Sequence, residues 1–285
     1  MKSYTFAAAM AAALSLFLTA APVAAQDTAP PRPVTVTGSV ALVSDYRFRG
    51  VSQSDEEMAI QGGLTIAHES GLYVGTWASN LSGWGTFGGS NMELDLIGGY
   101  KVPISGGALD VGLTWYMYPG GASKTDFAEP YVKLSGTAGP VSMLAGVAYA
   151  PKQQALGKWY NNAAAYATGV PNNPGKGNDN LYLWGDFSAA IPQTPLTAKA
   201  HIGHSDGNSG LGPNGTSAAP TGHYWDWLLG ADYAIKGTPL TLSAYYVDTD
   251  ISKAKAAYLQ PNFASTKDGS TIAGSQVVFS ISAAF

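Results

Sequence analysis

VTGSVALVSDYRFR, residues 36–49, separates cleanly when read in twos. Val36, Gly38, Val40, Leu42, Ser44, Tyr46 and Phe48 fall on one side. Thr37, Ser39, Ala41, Val43, Asp45, Arg47 and Arg49 fall on the other. Successive side chains of a strand point to opposite faces, so the spacing predicts one long strand, with an apolar face ending in two aromatics and a face that becomes charged. A helix would spread both sets around its circumference. The same pattern returns down the chain, and its spacing suggests a closed barrel in a membrane.

Further strands are expected at 59–68, 72–80, 92–102, 109–118, 127–136, 141–150, 180–190, 196–205, 224–235, 240–248 and 274–285. That makes about 12, and an even count leaves both termini on one side of a membrane. In 92–102, Met92, Leu94, Leu96 and Tyr100 oppose Glu93, Asp95 and Lys101. In 109–118, Leu109, Val111, Leu113, Trp115 and Met117 oppose Asp110, Thr114, Tyr116 and Tyr118. Val132 and Leu134 oppose Glu129, Tyr131 and Lys133; Leu181, Leu183 and Phe187 oppose Asp186; Ile202 opposes Lys199 and His201; Trp225, Trp227, Leu229 and Tyr233 oppose Asp226 and Asp232. The register of 72–80 stays open, since either Leu72 and Val74 or Tyr73 and Trp77 could face outward. Short turns at 69–71, 103–108, 137–140, 191–195 and 236–239 alternate with mostly longer connections. Short turns at one end and long loops at the other are the pattern of an outer-membrane barrel.

The N-terminus carries Lys2, an Ala- and Leu-rich run over 7–25, and Val23, Ala24 and Ala25 before Gln26. These are the charged, apolar and small-residue parts of a secretory signal peptide, expected over 1–25. Residues 26–35, with Pro30, Pro31 and Pro33, are expected to be an extended periplasmic lead-in. The barrel then occupies 36–285 as one domain. No later apolar run is long enough for a membrane-crossing helix, and barrels hide their apolarity in alternation.

Charged residues make up 12% of the chain, with 35 Gly, 16 Tyr and 7 Trp. Ordinary domains carry roughly 25% charge. A lipid-facing wall accounts for the difference, because lipid-facing positions exclude charge and Tyr and Trp sit well at membrane interfaces. The absence of Cys excludes disulfides, thiol nucleophiles and thiolate metal sites. A formal charge of −4 gives no support to nucleic-acid binding, which wants a basic face.

Residues 41–80 resemble the opening of the TorF-type porins of Gram-negative bacteria. The matching core is Val43, Ser44, Asp45, Tyr46, Arg47, Phe48, Arg49 and Gly50, followed by Ala59, Ile60, Gln61, Gly62 and Gly63. A second matching segment is ELDLIGGY, residues 93–100, and the likeness thins to a general strand pattern in the second half. The resemblance implies an outer-membrane β-barrel and a presumed pore. The last residue, Phe285, closes an alternating strand and resembles the C-terminal signal read by the barrel-assembly machinery, an expected partner beside outer-membrane lipid and small hydrophilic solutes.

Unpaired backbone groups are costly in hydrocarbon, so strands in lipid must close on themselves. The expectation is therefore an all-β, closed antiparallel up-and-down transmembrane barrel in the outer membrane. Its pore-lining candidates are Asp45, Arg47, Arg49, Glu93, Asp95, Asp110, Glu129, Lys133, Asp186, Lys199, Asp226 and Asp232. Each of these could instead pair across strands and brace the wall. Arg47 and Arg49 are expected near the external rim, tying down the first loop through Asp45, Asp55, Glu56 or Glu57. His201 and His204 stand an odd number apart, hence on opposite faces, which argues against a metal site with Asp206. GWGTFGG, residues 83–89, lacks the order of a phosphate-binding loop. No cofactor or catalytic group is expected. The sequence is read as a channel for passive diffusion of small hydrophilic solutes or ions. A non-conducting structural or adhesion barrel is the alternative, and an outer-membrane hydrolase a more distant one.

Overall fold

The computed structural model describes residues 33–208, 221–253, 256 and 263–285. The expected signal segment and residues 26–32 of the lead-in lie outside them. The strands are β1 (Val34–Val43), β2 (Arg47–Phe48), β3 (Val51–Ser52), β4 (Ala59–His68), β5 (Leu72–Asn80), β6 (Met92–Ile104) and β7 (Gly107–Met117). They continue with β8 (Phe127–Ala138), β9 (Val141–Gln153), β10 (Asn178–Ala190), β11 (Leu196–Gly207), β12 (Tyr224–Ala234), β13 (Leu240–Thr249) and β14 (Gln276–Ala284). Twelve of them, all but β2 and β3, close into one antiparallel barrel. Each barrel strand pairs with its chain neighbours, and β1 pairs with β14 to shut the ring.

The closing seam runs from Ser39 opposite Ala284 to Val43 opposite Ser280. Beyond it the Gly38 and Phe285 backbones exchange both hydrogen bonds, at 2.8 and 3.0 Å. The Phe285 ring lies over Gly38 so closely that a Cβ there would sit 2.6 Å from it. Glycine is what lets the terminal aromatic lie flat on the seam.

Alternation holds on every barrel strand. Val40, Leu42, Ile60, Leu64, Leu96, Val111, Leu113, Val132, Leu183, Ile202, Leu229, Leu242 and Phe279 stand outward and exposed. The opposite positions carry the charges and most of the hydroxyls, and they are buried. A soluble barrel has the reverse polarity. Closure leaves no strand edge unpaired, which removes the largest obstacle to placing strands in hydrocarbon. Exposed Tyr100 and Tyr233 stand toward one end of the wall, and Trp115, Tyr149, Trp225 and Tyr246 toward the other.

Both described ends of the chain and the short connections 69–71, 105–106, 139–140, 191–195 and 235–239 share one end of the barrel. The connections 44–58, 81–91, 118–126 and 154–177, and the described residues 221–223, 250–253 and 263–275, lie at the other. Among the described residues no helix is long and apolar enough to cross a membrane. The short α-helix α1 (Ala163–Thr168) sits in a long connection.

Several boundaries move. β1 begins at Val34, so the lead-in ends sooner than expected. β6, β8, β9 and β11 each run past their expected C-terminal ends: β6 and β8 continue their ladders into tight turns, and β9 and β11 are extended by pairing with the start of β10. In β5, Leu72 and Val74 face outward while Tyr73 and Trp77 face in, where Tyr73 finds a carboxylate and Trp77 a ring.

The main correction concerns β1, which stops at Val43 and not at Arg49. The Ser44 N–H donates to Phe279 O at 2.8 Å, and the Ser44 hydroxyl accepts from Phe279 N at 2.9 Å. On the other side pairing with β4 ends at Ala59, and although β14 runs on to Gln276 beside β13, the chain leaves it and turns into the barrel. Tyr46 and Phe48, expected on the outward face, are 1% and 2% exposed.

Candidate functional site: a lumen closed by the first loop

A barrel of eight strands is just filled by its own side chains, whereas twelve leave room inside. Here that room holds residues 44–57, which fold back as a plug. Its centre is the hairpin of β2 and β3, with Arg47 opposite Ser52 and Phe48 opposite Val51. The two turn residues, Arg49 and Gly50, have φ of 49° and 79°. Two positive φ values in a two-residue hairpin loop match the right-handed twist of the strands. At Gly50 a Cβ would meet Thr249 Cγ2 at 2.3 Å, so this turn tolerates no side chain against the wall.

Arg47 holds the plug together. Its guanidinium lies 2.5 Å from Asp45 and 3.0 Å from Glu56, and it donates to the carbonyls of Gly50, Ile272 and Gly274 at 2.9–3.0 Å. Asp45 also accepts from the hydroxyls of Ser52 and Ser54. Arg49 ties the plug to the wall, donating to both oxygens of Glu129 at 2.7 Å. Its guanidinium also lies 4.1 Å from the centre of the Tyr182 ring. Burial works against the Arg49 charge, and the Glu129 carboxylate more than restores it. Tyr46 donates to Glu93 at 3.0 Å, and burial pushes its phenol well above its ordinary range.

Aromatic rings seal the same end. Tyr46 packs on Trp77, Phe48 on Tyr116, and Tyr116 stacks on Phe127 at 4.5 Å. Residues 83–89, expected as a loop, make a 3-10 turn (Gly83–Thr86) that drops Trp84 and Phe87 onto Phe263 and Tyr118. Phe263, Ile272 and Ala273, from the long connection after β13, are fully buried in this cluster. Asp55 accepts from the Thr266 hydroxyl at 2.6 Å, and Glu57 pairs with Lys267, so the last long connection clips the first.

Below the plug the wall carries its own pairs. Lys199 lies 3.4 Å from Asp232, which also accepts from Ser243 and Tyr245. Tyr73 donates to Asp110 at 2.7 Å and meets Tyr131, over whose ring Lys133 lies at 3.7 Å. His201 bridges Asp186 at 2.5 Å and Asp226 at 3.1 Å, and the Tyr182 hydroxyl reaches Asp226 and His201.

All twelve candidates therefore point inward, and all are at least nine-tenths buried. The structure groups Asp45, Arg47 and Arg49 in the plug; Glu93, Asp95 and Glu129 around it; and Asp110, Lys133, Asp186, Lys199, Asp226 and Asp232 in the wall. Arg47 meets Asp45 and Glu56 as expected, whereas Arg49 crosses to Glu129. Neither arginine sits at an exposed rim. His201 and His204 do face opposite ways: His204 packs outward on Trp225 and His223. Among the described residues no group of three His, Cys, Asp or Glu is placed to hold a metal ion. Tyr46, Tyr116, Tyr182 and His201 were not singled out as lumen residues. Tyr116, Tyr182 and His201 share the inward parity of the named charges, which was the available signal.

No curated protein matches the sequence. Solved structures resemble the fold at low identity. An outer membrane channel from Pseudomonas putida F1 is 10% identical, with 90% of this chain and 97% of that one covered at a TM-score of 0.43. The outer membrane protein OpdK from Pseudomonas aeruginosa is 13% identical, with 90% and 68% covered at 0.41. The outer membrane channel DcaP of Acinetobacter baumannii is 10% identical, with 88% and 97% covered at 0.39. The family model described as "Bacterial protein of unknown function (Gcw_chp)" matches residues 27–285, and the chain belongs to that family.

Proposed function

We propose that this protein is an outer-membrane, porin-like channel for small hydrophilic solutes, held closed in this conformation by its first loop. The observation that carries the reading is the inverted polarity of the barrel, with exposed aliphatic side chains outside and charges inside. In water such a wall would be an aggregation surface, and in hydrocarbon it is at rest. The two sets of outward Tyr and Trp suit the two interfaces of a bilayer. The likeness of residues 43–50 to the TorF-type porins supports the same reading. The solute path would run along the polar inner wall, with size and charge as the filter and no cofactor. Phe285 on the seam would present the chain's end to the barrel-assembly machinery.

One observation favours a second reading, a non-conducting structural barrel: the candidate lumen charges are buried and mostly paired, not bathed in water. Planar-bilayer recording of the refolded chain in a salt gradient separates the two. The channel reading expects discrete conductance steps with a reversal potential set by the lumen charge. A silent bilayer containing correctly folded barrel supports the structural reading.

A further inference from the structure

Around the plug, Glu129 has Arg49, Asp45 has Arg47, Asp232 has Lys199, and Asp186 and Asp226 share His201. Glu93 and Asp95, two apart on the inward face of β6, have no such cation among the described residues. Both are 0% exposed. Neither oxygen of Asp95 makes a hydrogen bond, nor does the second oxygen of Glu93. The groups facing the pair are Tyr46 of the plug, which donates to Glu93; Tyr118, which also hydrogen-bonds Glu93; Tyr116 on β7; and Glu129 on β8, already taken by Arg49.

Two adjacent buried carboxylates cannot both stay ionised without a counter-charge. A metal ion would supply one, but it has no space beside two side chains that are 0% exposed. A proton needs no space. We propose that Glu93 and Asp95 form a proton-binding site that the plug seals, and that the plug seats when both carboxyls are protonated and leaves as they ionise. This deepens the channel reading and rests on it for its purpose: protons would set whether the lumen is open. The seated form holds more protons than the released form, so seating weakens as pH rises.

The chain has no cysteine, so one introduced thiol reports without background. Val51 lies in the plug hairpin and is 0% exposed, whereas Met58 is 64% exposed. The experiment is labelling of V51C, in the full-length barrel in lipid vesicles, by a membrane-impermeant maleimide across pH. Rates are divided by those of M58C to remove the thiol's own titration. Between the titration of the pair in the released form and its titration in the seated form, the normalised rate should rise about tenfold per pH unit for each proton lost, and it should be flat in an E93Q/D95N background. A normalised rate that is flat in the otherwise native barrel overturns the proposal, as does one that follows added Na⁺ or Ca²⁺ at fixed pH. If the double variant does not fold, D95N alone serves, and the native-background result remains decisive. Labelling needs no current, so a barrel that labels with pH but never conducts would refute the channel and keep the proton site.

Discussion

At the scale of single residues, Arg47 shows how a fully buried charge is tolerated. Two carboxylates and three carbonyls surround its guanidinium, so each of its three nitrogens has an acceptor. Arg47→Met would keep the volume and orphan Asp45 and the carbonyls together. Breaking a buried ion pair from one side costs roughly 3–5 kcal/mol. The expected result is a released plug in an intact barrel, seen as labelling of V51C at a pH where the native plug protects it. His201→Ala poses the same test in the wall. It would leave Asp186 and Asp226 facing each other without the ring between them, with a loss of similar size, roughly 3–5 kcal/mol, in the barrel itself. The check is the temperature at which the folded band on an unboiled gel disappears. Both residues were visible in the sequence as inward-facing, but their partners were not. Arg49 illustrates why: Glu129 lies 80 positions away, and only closure of the ring brings them together.

At the scale of elements, the strand wall was legible because a period of two survives in each segment independently. Leu113 faces outward for the same reason that Asp110 faces in, and no tertiary contact is needed to see it. Leu113→Arg is expected to impair insertion by about 2–4 kcal/mol near mid-depth, measured as the folded fraction in vesicles against urea. Thr114→Arg, one position along, places the same charge on the inner face and should retain lipid insertion even if it crowds the plug. The plug was not legible for the converse reason. Alternation continues through Asp45, Tyr46, Arg47 and Phe48, so parity alone extends β1 to Arg49. β14 still runs on to Gln276, but the rings and charges of this segment find their partners inside the barrel, Tyr46 on Glu93 and Trp77 and Phe48 on Tyr116, a fact about distant neighbours and not about these residues. The 83–89 segment was missed in the same way. Its glycines read as a loop, while Trp84 and Phe87 acquire a use only once Phe263 and Tyr118 are beside them.

At the scale of the whole molecule, the number of strands and the presence of a plug are linked. Twelve strands enclose more space than their inner side chains fill, and an unfilled interior would leave the buried charges of the wall facing water. The plug occupies the space and supplies Arg49 to the wall. The registers permit a direct test, because Val43 on β1 and Ala59 on β4 are cross-strand partners. Residues 45–57 can therefore be replaced by a short hairpin turn without shifting a strand. The shortened barrel should still insert and give a heat-sensitive folded band, with a lowered midpoint because the aromatic cluster around Tyr46 and Phe48 is gone. Its conductance should be steady and independent of pH, where the full chain is closed at low pH. Glu129 loses Arg49 in this variant, and Glu93 and Asp95 become hydrated, so the lumen turns more acidic and selectivity should move toward cations. Current that stays at the bilayer baseline, in protein shown to be folded and inserted, would mean that the wall residues themselves close the lumen and that the barrel is structural.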